Sequence, residues 1–73
     1  MSIFCERLIK LQTERNLLKK DIASALGISV MAYYRYEKGV RQPDLPLLVA
    51  IANFYDVPLD YLVGRTDKPG INK

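Results

Sequence analysis

The chain of 73 residues contains no histidine and no tryptophan, and it has a single cysteine, Cys5. Without histidine the commonest general base and metal ligand are missing, and one cysteine cannot complete a zinc site of the usual kind. One cysteine also excludes an intramolecular disulfide, which fits a reducing compartment. No Gly-rich phosphate loop is present, and the carboxylates are scattered over positions that read as helix surfaces and caps. Cys5 lies beside an apolar stripe with no basic partner close in sequence, so it reads as a small core residue and not as a nucleophile. Neither catalysis nor a metal nor a cofactor is expected. No apolar run approaches the ~20 residues that span a bilayer. The start MSIFCERLIK lacks the apolar core and cleavage site of a signal peptide. The expected location is the cytoplasm.

What is present is enough for one small domain. Hydrophobic residues make up 49% and charged residues 26% of the chain, a globular balance near the lower size limit for a core without disulfides or metal. The net charge of +3 is a mild basic excess, which suits a polyanionic partner. Periodicity predicts helices throughout. The first runs from Ser2 to Arg15, with Ser2 and Glu6 at its start, Phe4, Leu8 and Leu11 as its buried stripe, and Arg7, Lys10 and Glu14 solvated. Asn16 breaks it, and Leu17 drops into the core.

The stretch Lys19 to Glu37, KKDIASALGISVMAYYRYE, organises the rest. Ile22, Ala23 and Leu26 form one apolar stripe. Gly27 can take positive φ, ending that helix in a sharp turn, with Ile28 pinned beneath it. Ser29 stands where an N-cap belongs. On the following helix Ala32, Tyr33 and Tyr36 face inward, and Val30, Met31, Tyr34 and Arg35 face out. Gly39 ends this helix, and Lys38, Arg41 and Gln42 cluster on the turn before Pro43. Asp44 caps a fourth helix whose core positions are Leu45, Leu48, Ile51, Ala52 and Tyr55. A last helix spans Pro58 to Val63, and Thr66 to Lys73 is expected to fray. The domain is therefore expected over 1–65, with a flexible tail over 66–73. Lys19 and Lys20 occupy a first helical turn, where the macrodipole disfavours cations unless an anion such as a phosphate comes close.

Helix, glycine turn and capped helix make a helix-turn-helix pattern. From about Phe4 to Arg65 the chain resembles the Cro/cI-like, lambda-repressor-type family, also called the XRE family. The resemblance is carried by Leu17, Ala23, the LGIS of Leu26–Ser29, the RYEKG of Arg35–Gly39, Pro43 and the VPLDYLVGR near the end. It implies an all-α domain of five helices that binds double-stranded DNA as a transcriptional regulator, most often a repressor acting as a two-fold dimer. Leu47, Val49, Phe54, Leu59, Tyr61 and Leu62 offer apolar surface for either a dimer interface or the core.

Carried over to this chain, the resemblance assigns base reading to Ser29, Val30, Met31, Tyr34 and Arg35. Val30 and Met31 cannot make bidentate bonds to purines, but they can touch thymine methyls, and Tyr34 can donate one hydrogen bond. Arg35 is equally suited to a surface salt bridge. Lys19, Lys20, Lys38, Arg41 and Gln42 fall to the DNA backbone, Lys19 replacing the family's usual Gln. Leu18 stands where a Thr or Ser cap is usual, leaving Asp21 to support the helix start. The family also pairs an Arg on the first helix with the Glu matching Glu37. Gln12 holds that position here, so Glu37 is expected to be only partly buried, or to take a second donor such as a backbone N–H or Arg15. Control is expected from the protein's own concentration or from a protein partner, and a protein-interaction module of the antitoxin or antirepressor kind is the alternative function.

Overall fold

Five helices form, α1 (Ile3–Arg15), α2 (Lys19–Leu26), α3 (Val30–Lys38), α4 (Leu45–Tyr55) and α5 (Leu59–Leu62), in a computed structural model that describes residues 3–67. Among those residues there is no strand, and the all-α class expected from the periodicity holds. The helix starts and stops have local causes. Asn16 and Asp56 end α1 and α4 at φ 53° and 57°, left-handed conformations that their short polar side chains tolerate. Asp44 starts α4, its Oδ1 accepting the Leu47 N–H at 3.0 Å, with Pro46 in the first turn where no N–H is needed. Leu18 gives α2 no side-chain cap. Its carbonyl instead accepts the Asp21 and Ile22 N–H groups at 3.0 and 3.1 Å.

The core draws on every helix: Phe4, Cys5, Leu8 and Leu11 from α1, Ile22 and Ala23 from α2, Tyr33 from α3, Ile51, Ala52 and Tyr55 from α4, and Tyr61 and Leu62 from α5. Ala23 is small where α2 packs on its neighbours, and Leu17, Leu26, Ile28 and Tyr36 close the edges. Tyr33 and Tyr55 are fully enclosed. Their hydroxyls meet at 2.7 Å, which satisfies two polar atoms that burial would otherwise leave costly. Burial pushes both phenols above their ordinary pKa. For Tyr33 the bond to Tyr55 adds to the rise, and for Tyr55 the bond from Tyr33 partly offsets it.

Several expectations change. Arg7 is not solvated: its Nη1 donates to the carbonyls of Tyr61 and Thr66 at 2.8 and 2.7 Å, and its guanidinium lies 4.1 Å from the centre of the Tyr61 ring. Its Nη2 also reaches Asp67 at 3.0 Å. The tail expected from Thr66 is therefore tied to α1 through Asp67: Arg7 donates to the Thr66 carbonyl beyond α5 and adds a second donor to the Tyr61 carbonyl, which already accepts the Gly64 N–H at 3.2 Å. Lys68–Lys73, like Ser2, lie outside the described residues. Leu45 is 63% exposed. It stands in the first turn at the edge of the apolar stripe, and packing against the core begins only at Leu47 and Leu48. Of the residues read as serving either a dimer interface or the core, Tyr61 and Leu62 belong to the core. Leu47, Phe54 and Leu59 are half-buried against the same core, and Val49 is exposed.

Candidate DNA interface

The exposed face of α3 is set by two glycine turns and one serine. Gly27 adopts φ 73°, and the Ile28 N–H reaches back to the Ala23 carbonyl at 3.0 Å while the Gly27 N–H reaches Ser24 at 3.2 Å. A Cβ at Gly27 would meet nothing within 4 Å, so the glycine is needed for its backbone angle alone. Ser29, in an extended conformation, then accepts the Ala32 N–H on its Oγ at 3.0 Å. That bond starts α3 and commits one acceptor position of the Ser29 hydroxyl to the protein itself. At the far end Gly39, at φ 76°, sits against α1: a Cβ there would come 3.2 Å from the Cys5 sulfur. Cys5 Sγ donates to the Tyr36 carbonyl at 3.3 Å, beneath the last turn of α3.

Between these turns α3 presents Val30, Met31 and Tyr34, exposed by 45, 56 and 43%, together with Arg35. Lys20 at the start of α2 is exposed, as are Lys38 at the last position of α3 and Arg41 and Gln42 just beyond it. The Lys38 ammonium lies 5.3 Å from the centre of the Tyr34 ring, a cation–π contact that steadies both side chains. Val40, 73% exposed between Gly39 and Arg41, belongs to no helical period and so gives no signal in the sequence. It adds apolar surface beside the same turn. Among the described residues there is no enclosed cavity and no group of three His, Cys, Asp or Glu suited to a metal. The candidate surface is an open helix face flanked by cations.

Lys19 is placed differently from the other cations. Its Nζ lies 2.9 Å from Glu37 Oε1 and donates to Gln12 Oε1 at 2.8 Å. Glu37 is 3% exposed, so it is neither partly buried nor paired with Arg15. Arg15 donates instead to the Tyr55 carbonyl at 2.6 Å. The cation that Gln12 does not supply comes from the first turn of α2, because a lysine stem is long enough to reach under the motif.

Residues 8–62 match a helix-turn-helix family model, HTH_3, and the chain belongs to that family. It is 37% identical over 67 residues to the uncharacterised HTH-type transcriptional regulator YobD of Bacillus subtilis, covering 92% of this chain and 60% of that protein. It is 32% identical over 65 residues to the cryptic phage CTXphi transcriptional repressor RstR of Vibrio cholerae, covering 89% and 59%. In three dimensions it is similar to a transcriptional regulator from Listeria innocua, with a TM-score of 0.81 and 28% identity over 96% of this chain and 64% of that one. The chain thus spans about three-fifths of the length of these relatives.

Proposed function

We propose that the chain is the DNA-binding part of a transcriptional regulator, most simply a repressor, with Val30 to Arg35 of α3 set into the major groove of duplex DNA. The observation that carries this reading is the exposed run of Val30, Met31, Tyr34 and Arg35 on α3, accompanied by exposed cations at Lys20 in the first turn of α2 and at Lys38 and Arg41 around the end of α3. Cations there meet phosphates on both walls of a groove wide enough for one helix. Val30 and Met31 read thymine methyl groups, Tyr34 donates to a base or phosphate, and Arg35 reaches a base edge or the backbone. Lys20, Lys38, Arg41 and Gln42 fix the register on the backbone. Two copies occupy half-sites one helical turn apart, ~34 Å. RstR is itself described as a phage repressor, which supports repression over activation.

A different reading draws on the apolar character of the same face: Val30, Met31 and Val40 would suit a protein partner as well as a groove. Binding to random duplex DNA across a salt series separates the two. Phosphate contacts require affinity to fall steeply and linearly in log–log form, and selection from random duplexes should then yield a two-fold site. A flat salt response would sink the DNA reading and leave the protein partner.

A further inference from the structure

Glu37 is the buried charged residue of the described chain. It stands in the last turn of α3, where the macrodipole disfavours an anion, and it needs a cation close by. Lys19 supplies it at 2.9 Å. Gln12 on α1 completes the arrangement: its Oε1 accepts from the same ammonium at 2.8 Å, and its Nε2 donates to the Leu17 carbonyl at 3.0 Å. The second donor-to-carbonyl bond fixes which end of the amide faces the lysine. Parts of α1, α2 and α3 therefore converge on one ammonium. Glu37 Oε2 has no hydrogen-bond partner, so the carboxylate depends on Lys19 for its compensation.

We propose that Lys19 is a positioning residue for DNA reading: shared between Glu37 and Gln12, its ammonium holds the recognition helix against α1 and α2 and is not a phosphate contact. The inference rests on the DNA-binding reading above, and it departs from the backbone role that sequence alone assigns to Lys19. Drawing the ammonium out to a phosphate would strand a buried carboxylate, which costs more than an exposed ion pair returns. Base contacts from Val30 to Arg35 require the helix to be seated to within a fraction of an ångström, whereas long cationic side chains follow a phosphate over a wider range. Loss of Lys19 should therefore damage sequence preference more than general affinity.

The test compares wild type, Lys19→Met and a double variant, Gln12→Arg with Lys19→Gln, which moves the cation onto α1 beside the same carboxylate. Each is titrated with the selected site and with random duplex over a salt series, at a temperature where urea melts show it folded. Lys19→Met should lose at least about tenfold in the ratio of selected to random binding, comparable to a mismatched base pair, with its salt slope unchanged. The relocated cation should restore most of that ratio although position 19 is no longer charged. A uniform loss with a slope smaller by about 1, not restored by the relocated cation, overturns the proposal and makes Lys19 a phosphate contact. An unchanged ratio in Lys19→Met overturns it as well. If Lys19→Met does not fold, Lys19→Met with Glu37→Gln removes both charges at similar volume and is read against the same outcomes. A wild type without any sequence preference defeats the DNA-reading assignment itself, which is a separate result.

Discussion

The hydroxyls of Tyr33 and Tyr55 lie 2.7 Å apart in the core, so α3 is joined to α4 by a buried hydrogen bond and not only by apolar packing. Tyr33→Phe strands the Tyr55 hydroxyl and should cost about 1–3 kcal/mol in urea melts. Tyr33→Phe with Tyr55→Phe removes both partners and should cost less than the sum of the single variants. Strict additivity would mean that the two hydroxyls do not depend on each other.

The same pair sets the alkaline limit of the fold. Burial raises both phenol pKa values above the ordinary ~10, so above that pH the unfolded chain releases protons that the folded chain retains. Stability is then full below about pH 10 and falls as pH rises further. Circular dichroism and tyrosinate absorbance should show at least two of the five tyrosines ionising only as the helices are lost. Complete ionisation while the helices persist would contradict the enclosure of this pair.

Arg7 should matter to stability although it stands on an outer helix. Arg7→Ala removes donors to the Tyr61 and Thr66 carbonyls and the cover over the Tyr61 ring. A loss of about 1.5–3 kcal/mol follows from the charged hydrogen bonds alone. Arg7→Lys should recover only part of it, since an ammonium lacks the planar fork. Hydrogen exchange at the amides of 63–67 should quicken in both variants.

For the backbone cations, Lys20→Ala, Lys38→Ala and Arg41→Ala should each weaken binding to selected and random duplexes alike. Every phosphate that goes unneutralised in a variant should reduce the magnitude of the log–log salt slope by about 1. Lys38 also sits over Tyr34, so its variant should disturb reading slightly as well. Three unchanged slopes would take this edge out of the interface.

Met31→Ala and Tyr34→Ala should act on reading. Both side chains are exposed, so fold and random-duplex affinity should survive. Preference at particular base pairs should change by ~1–3 kcal/mol if contacts are direct. Replacing thymine by uracil in the selected site removes only the methyl group and should imitate the Met31 variant at the base it touches. Equal loss on every sequence would move these residues to phosphates.

Most of the fold was legible because its signals are local. The glycine and serine of the motif, the Asp44 cap and the stripe Phe4, Leu8 and Leu11 each act through neighbours three to five positions away. What escaped sequence reasoning depended on contacts between distant positions. Arg7 looked like a surface residue until α5 and Thr66 came within reach of it, more than fifty positions along the chain. The sequence marks Glu37 as an anion in need of a cation and offers Gln12 and Arg15 on α1 as its neighbours, whereas it is the lysine stem from α2 that reaches it. Tyr61 and Leu62 carry the same apolar side chains whether they bind a second copy or close a core, and only the packing against α1 and α4 decides between those uses.

Cys5 is 2% exposed, shut beneath the last turn of α3 by Tyr36 and Gly39. This one thiol in the chain can therefore serve as a clock. A thiol reagent reacts only with molecules in which that turn has lifted away from α1, so the labelling rate counts such openings. Compared with the free energy of global unfolding, it tells whether the reading head detaches by itself or only when the whole domain comes apart.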